Sequence, residues 1–434
     1  MPLWWPGGCR VASMWPRQRI DRMRRSSGPC KILGAPGLEL ETWVSLKLAM
    51  VPAVFALLAL SACRSHDFPQ YPPNYREYAY VTNGDSGTVT VLDVVNVRVD
   101  REVPVGQNPV AVTASPTRNE VYVVNSGAKE GLGSLSVIDA EKNVVAATIA
   151  LHRKPVSIDL NAEGTLAYLA NSESNSISVV DLKARQEIAQ IGAGEEPVAA
   201  RITPDGRSLV VANRRSNSVS IFDAAARTVR SVFNDCPGAA DLAILPDSSK
   251  AFAACSGGHQ VMAIALADSK LNPSKPDRLE SLLDVGRAPV QLALKPDGGE
   301  VFVSNSLSNS VSEVDTSKND VGGAYLMGDD PVRGLVSFDN TMLYVANFRS
   351  QYVTIYSIDE GKRGPSIHVG DGPVAMAFSG SHLLIFVVDN RSADVAVVRT
   401  ADATGLRTAM KSMFTILPTG RGPNAIAVKA FSVR

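Results

Sequence analysis

The side chains able to do chemistry in this 434-residue chain are few and scattered. Its five histidines, His66, His152, His259, His368 and His382, stand alone. No Cys-x-x-Cys-His motif is present for covalent haem, and no His/Cys group has the spacing of a zinc site. Neither a Gly-x-Ser-x-Gly elbow nor a phosphate-cradling P-loop occurs. The sequence therefore predicts no catalytic residue, no metal and no cofactor. What it does carry is mixed charge in two kinds of short connection. Segments bounded as Gly-x-x-Pro, or by degenerate versions of it, hold Gln107-Asn108, Arg153-Lys154, Glu195-Glu196, Arg287, Asp329-Asp330, Asp371 and Arg421. Short turns hold Arg214-Arg215, Phe348-Arg349 and Asn390-Arg391. Gathered together, such charges suit a small polar ligand or a protein partner; dispersed, they are an ordinary solvated rim. The elements that place them decide between the two.

Those elements are repeats. An Asn that closes a run of Val, Ile and Tyr recurs at Asn83, Asn125, Asn171, Asn213, Asn305 and Asn347, with Cys255 and Asp389 in two equivalent places. The steps are 42, 46, 42, 42, 50, 42 and 42 residues. The Gly-x-x-Pro landmark keeps the same beat, from Gly106/Pro109 to Gly420/Pro423, and is degenerate at His152/Pro155 and Cys236/Ala239. Each unit has four alternating apolar runs separated by Gly, Pro, Asn and Asp, the signal of antiparallel strands joined by tight turns. Four strands per unit of about 42 residues describe a propeller blade, and no helical apolar period competes with it.

Seven units begin with their own first strand. The chain, however, enters at strands two to four (residues 78–105) and ends on a lone strand one, Pro423–Val428. Together these pieces predict an eighth blade, giving an all-β, eight-bladed propeller of four-stranded antiparallel blades closed by its C-terminal strand. Seven blades, with one unit reduced to a loop, is the alternative. In a propeller the four-to-one and two-to-three connections share one face around the channel mouth. The predicted binding residues are therefore Arg153, Lys154, Glu195, Glu196, Arg214, Arg215, Arg287, Asp329, Asp330, Arg349 and Arg421. The first full blade adds four extra residues to that face, within Ala128–Gly133. The repeated Asn, Gly and Pro, and the Asp ten residues after the Asn, read instead as turn chemistry.

The motif residues Tyr80-Val81-Thr82-Asn83, Tyr122-Val123-Val124-Asn125 and Tyr344-Val345-Ala346-Asn347 resemble the YVTN family of bacterial β-propellers over residues 78–434. The resemblance implies the fold; it leaves the activity open, because propellers host unrelated functions. The repeat style is also similar to lactonase-like propellers. Eight-bladed haem-d nitrite reductase-like propellers are similar in fold, but they need an axial His, for which only His152 and His259 fall on the channel-mouth side.

Composition breaks before the repeats. All four Trp (Trp4, Trp5, Trp15, Trp43) precede residue 44, and residues 1–62 hold eight Lys/Arg against three acids. The remainder has 35 basic and 40 acidic side chains, a net of −5, which argues against nucleic acid as a partner. Ser45–Met50, the apolar run Val51–Leu60 and Ser61-Ala62-Cys63 read as a secretory signal too short to span a bilayer. Leu60-Ser61-Ala62-Cys63 resembles the lipobox of bacterial lipoproteins, which implies lipidation of Cys63; an ordinary signal peptide with a chance Cys is the alternative. The expected organisation is a mis-called start (1–43), a signal peptide (44–62), a lipidated Cys with a Pro-containing tether (63–77) and one propeller domain (78–434). By resemblance to lipoprotein sorting, Arg64 after the Cys favours the outer membrane. Translation from Val44 or Met50 is the expectation; a precursor whose intact mass retains Trp15 would refute it.

Beyond Cys63, only Cys236 and Cys255 remain in the body. They replace the Gly and the Asn of one unit, positions that begin strand one and end strand two. An exported protein would pair them as a disulfide; two buried free thiols is the alternative. The sequence thus predicts an exported, lipid-anchored, monomeric binding module that meets the membrane only through its anchor. A lactonase-like or haem-d-like enzyme or cofactor carrier is the alternative.

Overall fold

Six-residue runs of alternating Val, Ile, Tyr and Ala form the strands, and polar turns fold them back four to a sheet. The computed structural model describes residues 71–267, 275–400 and 412–433. It contains eight four-stranded sheets, each antiparallel and meandering in chain order except one. A typical blade is β12 (Pro197–Ile202), β13 (Ser208–Asn213), β14 (Ser218–Asp223) and β15 (Thr228–Phe233). The exception is the closing blade, ordered β3-β2-β1-β32, from β1 (Tyr75–Asn83), β2 (Thr88–Asp93), β3 (Arg98–Pro104) and β32 (Pro423–Ser432). The protein is an eight-bladed β-propeller.

The closing ladder is longer than the apolar alternation suggests. Its register runs from Tyr75↔Ser432 to Asn83↔Pro423, so Tyr75–Glu77 joins the strand and Lys429–Ser432 extends its partner. Glu77 explains the extension. It is buried, and its carboxylate accepts bonds from Tyr75 Oη at 2.7 Å and from the Gly380 amide of the preceding blade at 2.6 Å.

The core lies between blades rather than inside them. Among the described residues eight apolar clusters form, each shared by two neighbouring blades. One of them joins Tyr80, Val91 and Phe431 of the closing blade to Val121, Val123 and Ile138 of the next. Every blade is therefore packed on both faces, and the sheet array has no exposed end.

The repeat residues prove to be mechanical. Asn171 is fully buried and its amide donates to Ser176 Oγ at 3.4 Å and Ser178 Oγ at 2.9 Å, bracing strands two and three. Asn213 does the same with Ser218 and Ser220. The glycine of Gly-x-x-Pro packs on that Asn. A Cβ at Gly106 would lie 2.6 Å from Asn125 Cγ, so no larger residue fits while the Asn is there. Asp139, Asp181 and Asp315 take amide hydrogens two and three residues ahead, closing the three-to-four turns.

One blade replaces both members of the Gly–Asn contact, and there Cys236 and Cys255 are joined by a disulfide with Cα atoms 4.7 Å apart. The bridge spans 19 residues of sequence, a loop whose closure is worth about 3 kcal/mol. The double variant Cys236→Ala/Cys255→Ala should lose that much in a denaturant titration run without reductant. Non-reducing peptide mapping that finds both thiols alkylatable in the native protein would contradict the bridge.

The predicted signal peptide, Cys63 and the segment before Val44 lie outside the described residues. So do parts of two long three-to-four connections, Ala267–Ser281 and Thr400–Met413. The first is anchored where it is described: Asp277 accepts two bonds from Arg230, at 2.7 and 2.8 Å, and one from the Ala267 amide at 2.8 Å.

Candidate functional site

The four-to-one and two-to-three connections share a face because their backbones are bonded to each other. The Ser172 amide donates to Lys154 O, Arg214 to Glu196 O, Phe348 to Asp330 O and Asn390 to Gly372 O, at 2.8–2.9 Å. Where blades differ, this shared geometry sets opposite charges side by side. Glu173 meets Arg153 at 3.2 Å and Lys154 at 3.5 Å. Glu196 receives both Arg214 and Arg215 at 3.6 Å. Asp330 meets Arg349 at 3.2 Å, and Asp371 meets Arg391 at 3.7 Å. Arg391 also lies 4.3 Å over the Phe348 ring. Such exposed pairs contribute about 0–1 kcal/mol each, so the rim is free to vary without cost to the fold.

The predicted residues are distributed unevenly around it. Arg153, Lys154, Glu196 and Arg215 converge on one polar cleft of about 480 Å³, together with Lys129, Glu130 and Glu173. Lys129 and Glu130 belong to the extra residues of the first full blade; the four-residue insertion was their sequence signal. Glu195 and Arg421 use their backbone amides, bonded to Ser216 Oγ at 3.0 Å and Ser86 Oγ at 2.8 Å. Arg287 donates to Leu307 O at 3.1 Å, and Asp329 accepts from Asn309 at 3.1 Å. These four stand at separate points of the ring, outside the cleft. His152 Nε2 lies 3.2 Å from Glu187 Oε1, and His259 Nδ1 accepts from the Ala288 amide at 3.3 Å.

The channel wall holds a second constellation that strand alternation concealed. First strands line the channel and are mostly small or apolar, but β8 (Pro155–Leu160) carries Asp159 and β12 carries Arg201. Likewise β16 (Ala239–Ile244) carries Asp241, β20 (Pro289–Leu294) Gln291 and β24 (Pro331–Val336) Arg333. Three of these serve the free backbone edge of the next blade. Asp159 accepts from the Ile202 amide at 2.9 Å, Asp241 from Leu292 at 3.0 Å and Gln291 from Gly334 at 2.7 Å. Arg201 comes within 3.9 Å of Asp241. Burial pushes the Asp159 carboxyl above its ordinary range, and Arg201 works against that rise. Asp159, Arg201 and Arg333 face a channel cavity of about 330 Å³. The signal available in the sequence was a charge at the third or fifth place of a first strand, where other blades carry Ala, Leu, Ser, Thr or Gln.

Among the described residues no three metal-ligating side chains come together. No family model and no curated protein matches the chain. Solved structures do match in shape. The dihydro-haem d1 dehydrogenase NirN in complex with DHE is 13% identical with a TM-score of 0.64, covering 83% of this chain and 76% of that one. Apo AztD from Citrobacter koseri is 14% identical with a TM-score of 0.61, covering 83% and 99%. A putative 6-phosphogluconolactonase from Bacteroides fragilis is 20% identical with a TM-score of 0.53, covering 70% and 98%. Identities this low carry the fold alone, and the fold they share with this chain is the β-propeller.

Proposed function

We propose that this propeller is a binding module of the bacterial cell envelope, lipid-anchored through Cys63, that presents its channel-mouth face to a polar ligand or a protein partner. The observation that supports this is the cleft of about 480 Å³, where seven charged side chains from neighbouring blades meet although no repeat rule requires any of them. Repeated residues account for the scaffold, and the unrepeated ones concentrate on one face. Arg and the flanking carboxylates give such a surface directional, charge-complementary contacts.

The test is mass spectrometry of molecules retained by the natively purified full chain, beside the charge-reversed variant Lys154→Glu/Arg215→Glu. The expected result is loss of the retained partner or ligand in the variant with an unchanged melting temperature, since both residues lie in exposed pairs. Equal retention by both proteins would remove the cleft from the account.

A lactonase-like enzyme or cofactor carrier is the second reading, favoured by the channel cavity with its half-buried carboxyl, Asp159. A chromophore in the purified protein, or lactone hydrolysis lost in Asp159→Asn, would move the assignment there.

A further inference from the structure

Arg333 is the one charged group of the channel wall whose protein neighbours do not account for it. Gln291 occupies the adjacent Gly334 amide, and Asp241 is turned to the Leu292 amide and towards Arg201. Among the described residues, no acceptor lies within hydrogen-bonding or ion-pair distance of the Arg333 guanidinium. The Arg333 side chain is exposed to the channel, and the inner strands around the channel desolvate it enough to pull its pKa down. Arg201 adds repulsion to that effect, while Asp241 offsets part of it. An arginine stays charged in such a setting, so five N–H donors face the cavity without a protein acceptor.

We infer that the channel is a binding site for a small monocarboxylate, held by Arg333, with Arg201 on the same cavity. This site is separate from the rim cleft. Two features select the ligand class. The planar guanidinium fork matches a carboxylate with two parallel bonds, which a spherical anion cannot form. A single negative charge fits better than two, because Asp159 shares the cavity and Asp241 already stands 3.9 Å from Arg201, and both would repel a dianion. The cavity, about 330 Å³, is at the lower end of the range of small-molecule sites.

Calorimetric titration of the full chain with straight-chain monocarboxylates from acetate to hexanoate tests this, with chloride, phosphate and succinate as comparisons at equal ionic strength. The expected result is saturable binding of the monocarboxylates, weakened about tenfold or more in Arg333→Gln. Arg333→Lys, which keeps the charge but not the fork, should be weakened less, and Lys183→Gln, an exposed three-to-four turn variant outside both sites, not at all. If Arg333→Gln does not fold, Arg333→Lys and Arg201→Gln carry the comparison. The inference is overturned if the wild type binds no monocarboxylate, if phosphate or succinate binds better, or if the arginine variants match the wild type. Failure here leaves the rim cleft untouched, and loss of the rim cleft would leave this result standing.

Discussion

Deleting residues 423–434 should leave a chain that does not complete a cooperative fold. The strand removed is the only partner of the inner edge of β1, and its register covers β1 from Tyr75 to Asn83. It also takes Phe431, Ile426 and Val428 from the two interfaces that the closing blade makes with its neighbours. At about 1.5–3 kcal/mol for each such side chain, the loss is on the order of 5 kcal/mol even after discounting for partial burial. That approaches the whole stability of an ordinary domain, about 5–15 kcal/mol. A bare β1 edge would also invite pairing between molecules. Thermal melts and size-exclusion chromatography should show a collapsed transition with aggregation. A truncated monomer melting with the full-length chain would contradict closure by this strand.

The second large effect is a gain. Asp389 replaces the repeat Asn and is fully buried, and Asp394 sits directly opposite it where other blades have a hydroxyl or amide. In those blades the Asn amide donates across the strands, whereas a carboxylate has no hydrogen to give. Asp389 therefore keeps a proton: burial raises its pKa to about 8, Asp394 adds to the rise, and the Gly370 amide at 3.0 Å opposes it. In the unfolded chain the same group ionises near 3.8. Below that pH both states are protonated and the residue costs nothing. As pH climbs from about 4 to 8 the unfolded chain alone releases the proton, and stability falls; above pH 8 the loss is complete. A rise from 3.8 to about 8 amounts to on the order of 5 kcal/mol. Asp389→Asn restores the amide donor, now aimed at the Asp394 carboxylate. It should stabilise the protein progressively from pH 4 to 8, by several kcal/mol at the top of that range. Denaturant titrations of both proteins at pH 4, 6 and 8 measure it; parallel curves would contradict a proton held at Asp389.

Much of this architecture was legible because its signals repeat. The Asn and Gly-x-x-Pro landmarks fixed the blade count and the phase of each strand, and phase alone assigned residues 423–428 to the first blade in sequence. The face shared by the charged turns followed from the same phase. The cleft did not, because ion pairing depends on which turn carries which sign: blade two sets Glu173 against Arg153, blade three reverses the arrangement with Glu196 and Arg215. The channel charges were hidden for another reason. Asp159, Arg201 and Arg333 sit inside strands whose alternation reads as scaffold, and only the ring brings them to one cavity. The extra length of the closing ladder was equally invisible, since it depends on Glu77 reaching the amide of Gly380, 303 residues away.

The central claim is that binding belongs to the unrepeated face around the channel mouth. Site-specific photo-crosslinking of the full chain in its native host tests it most directly, with the crosslinker at Lys154 on that face and at Lys183, an exposed residue of a three-to-four turn on the opposite one. The account predicts a discrete crosslinked species from position 154 and none from position 183. A crosslink from 183 alone would contradict it.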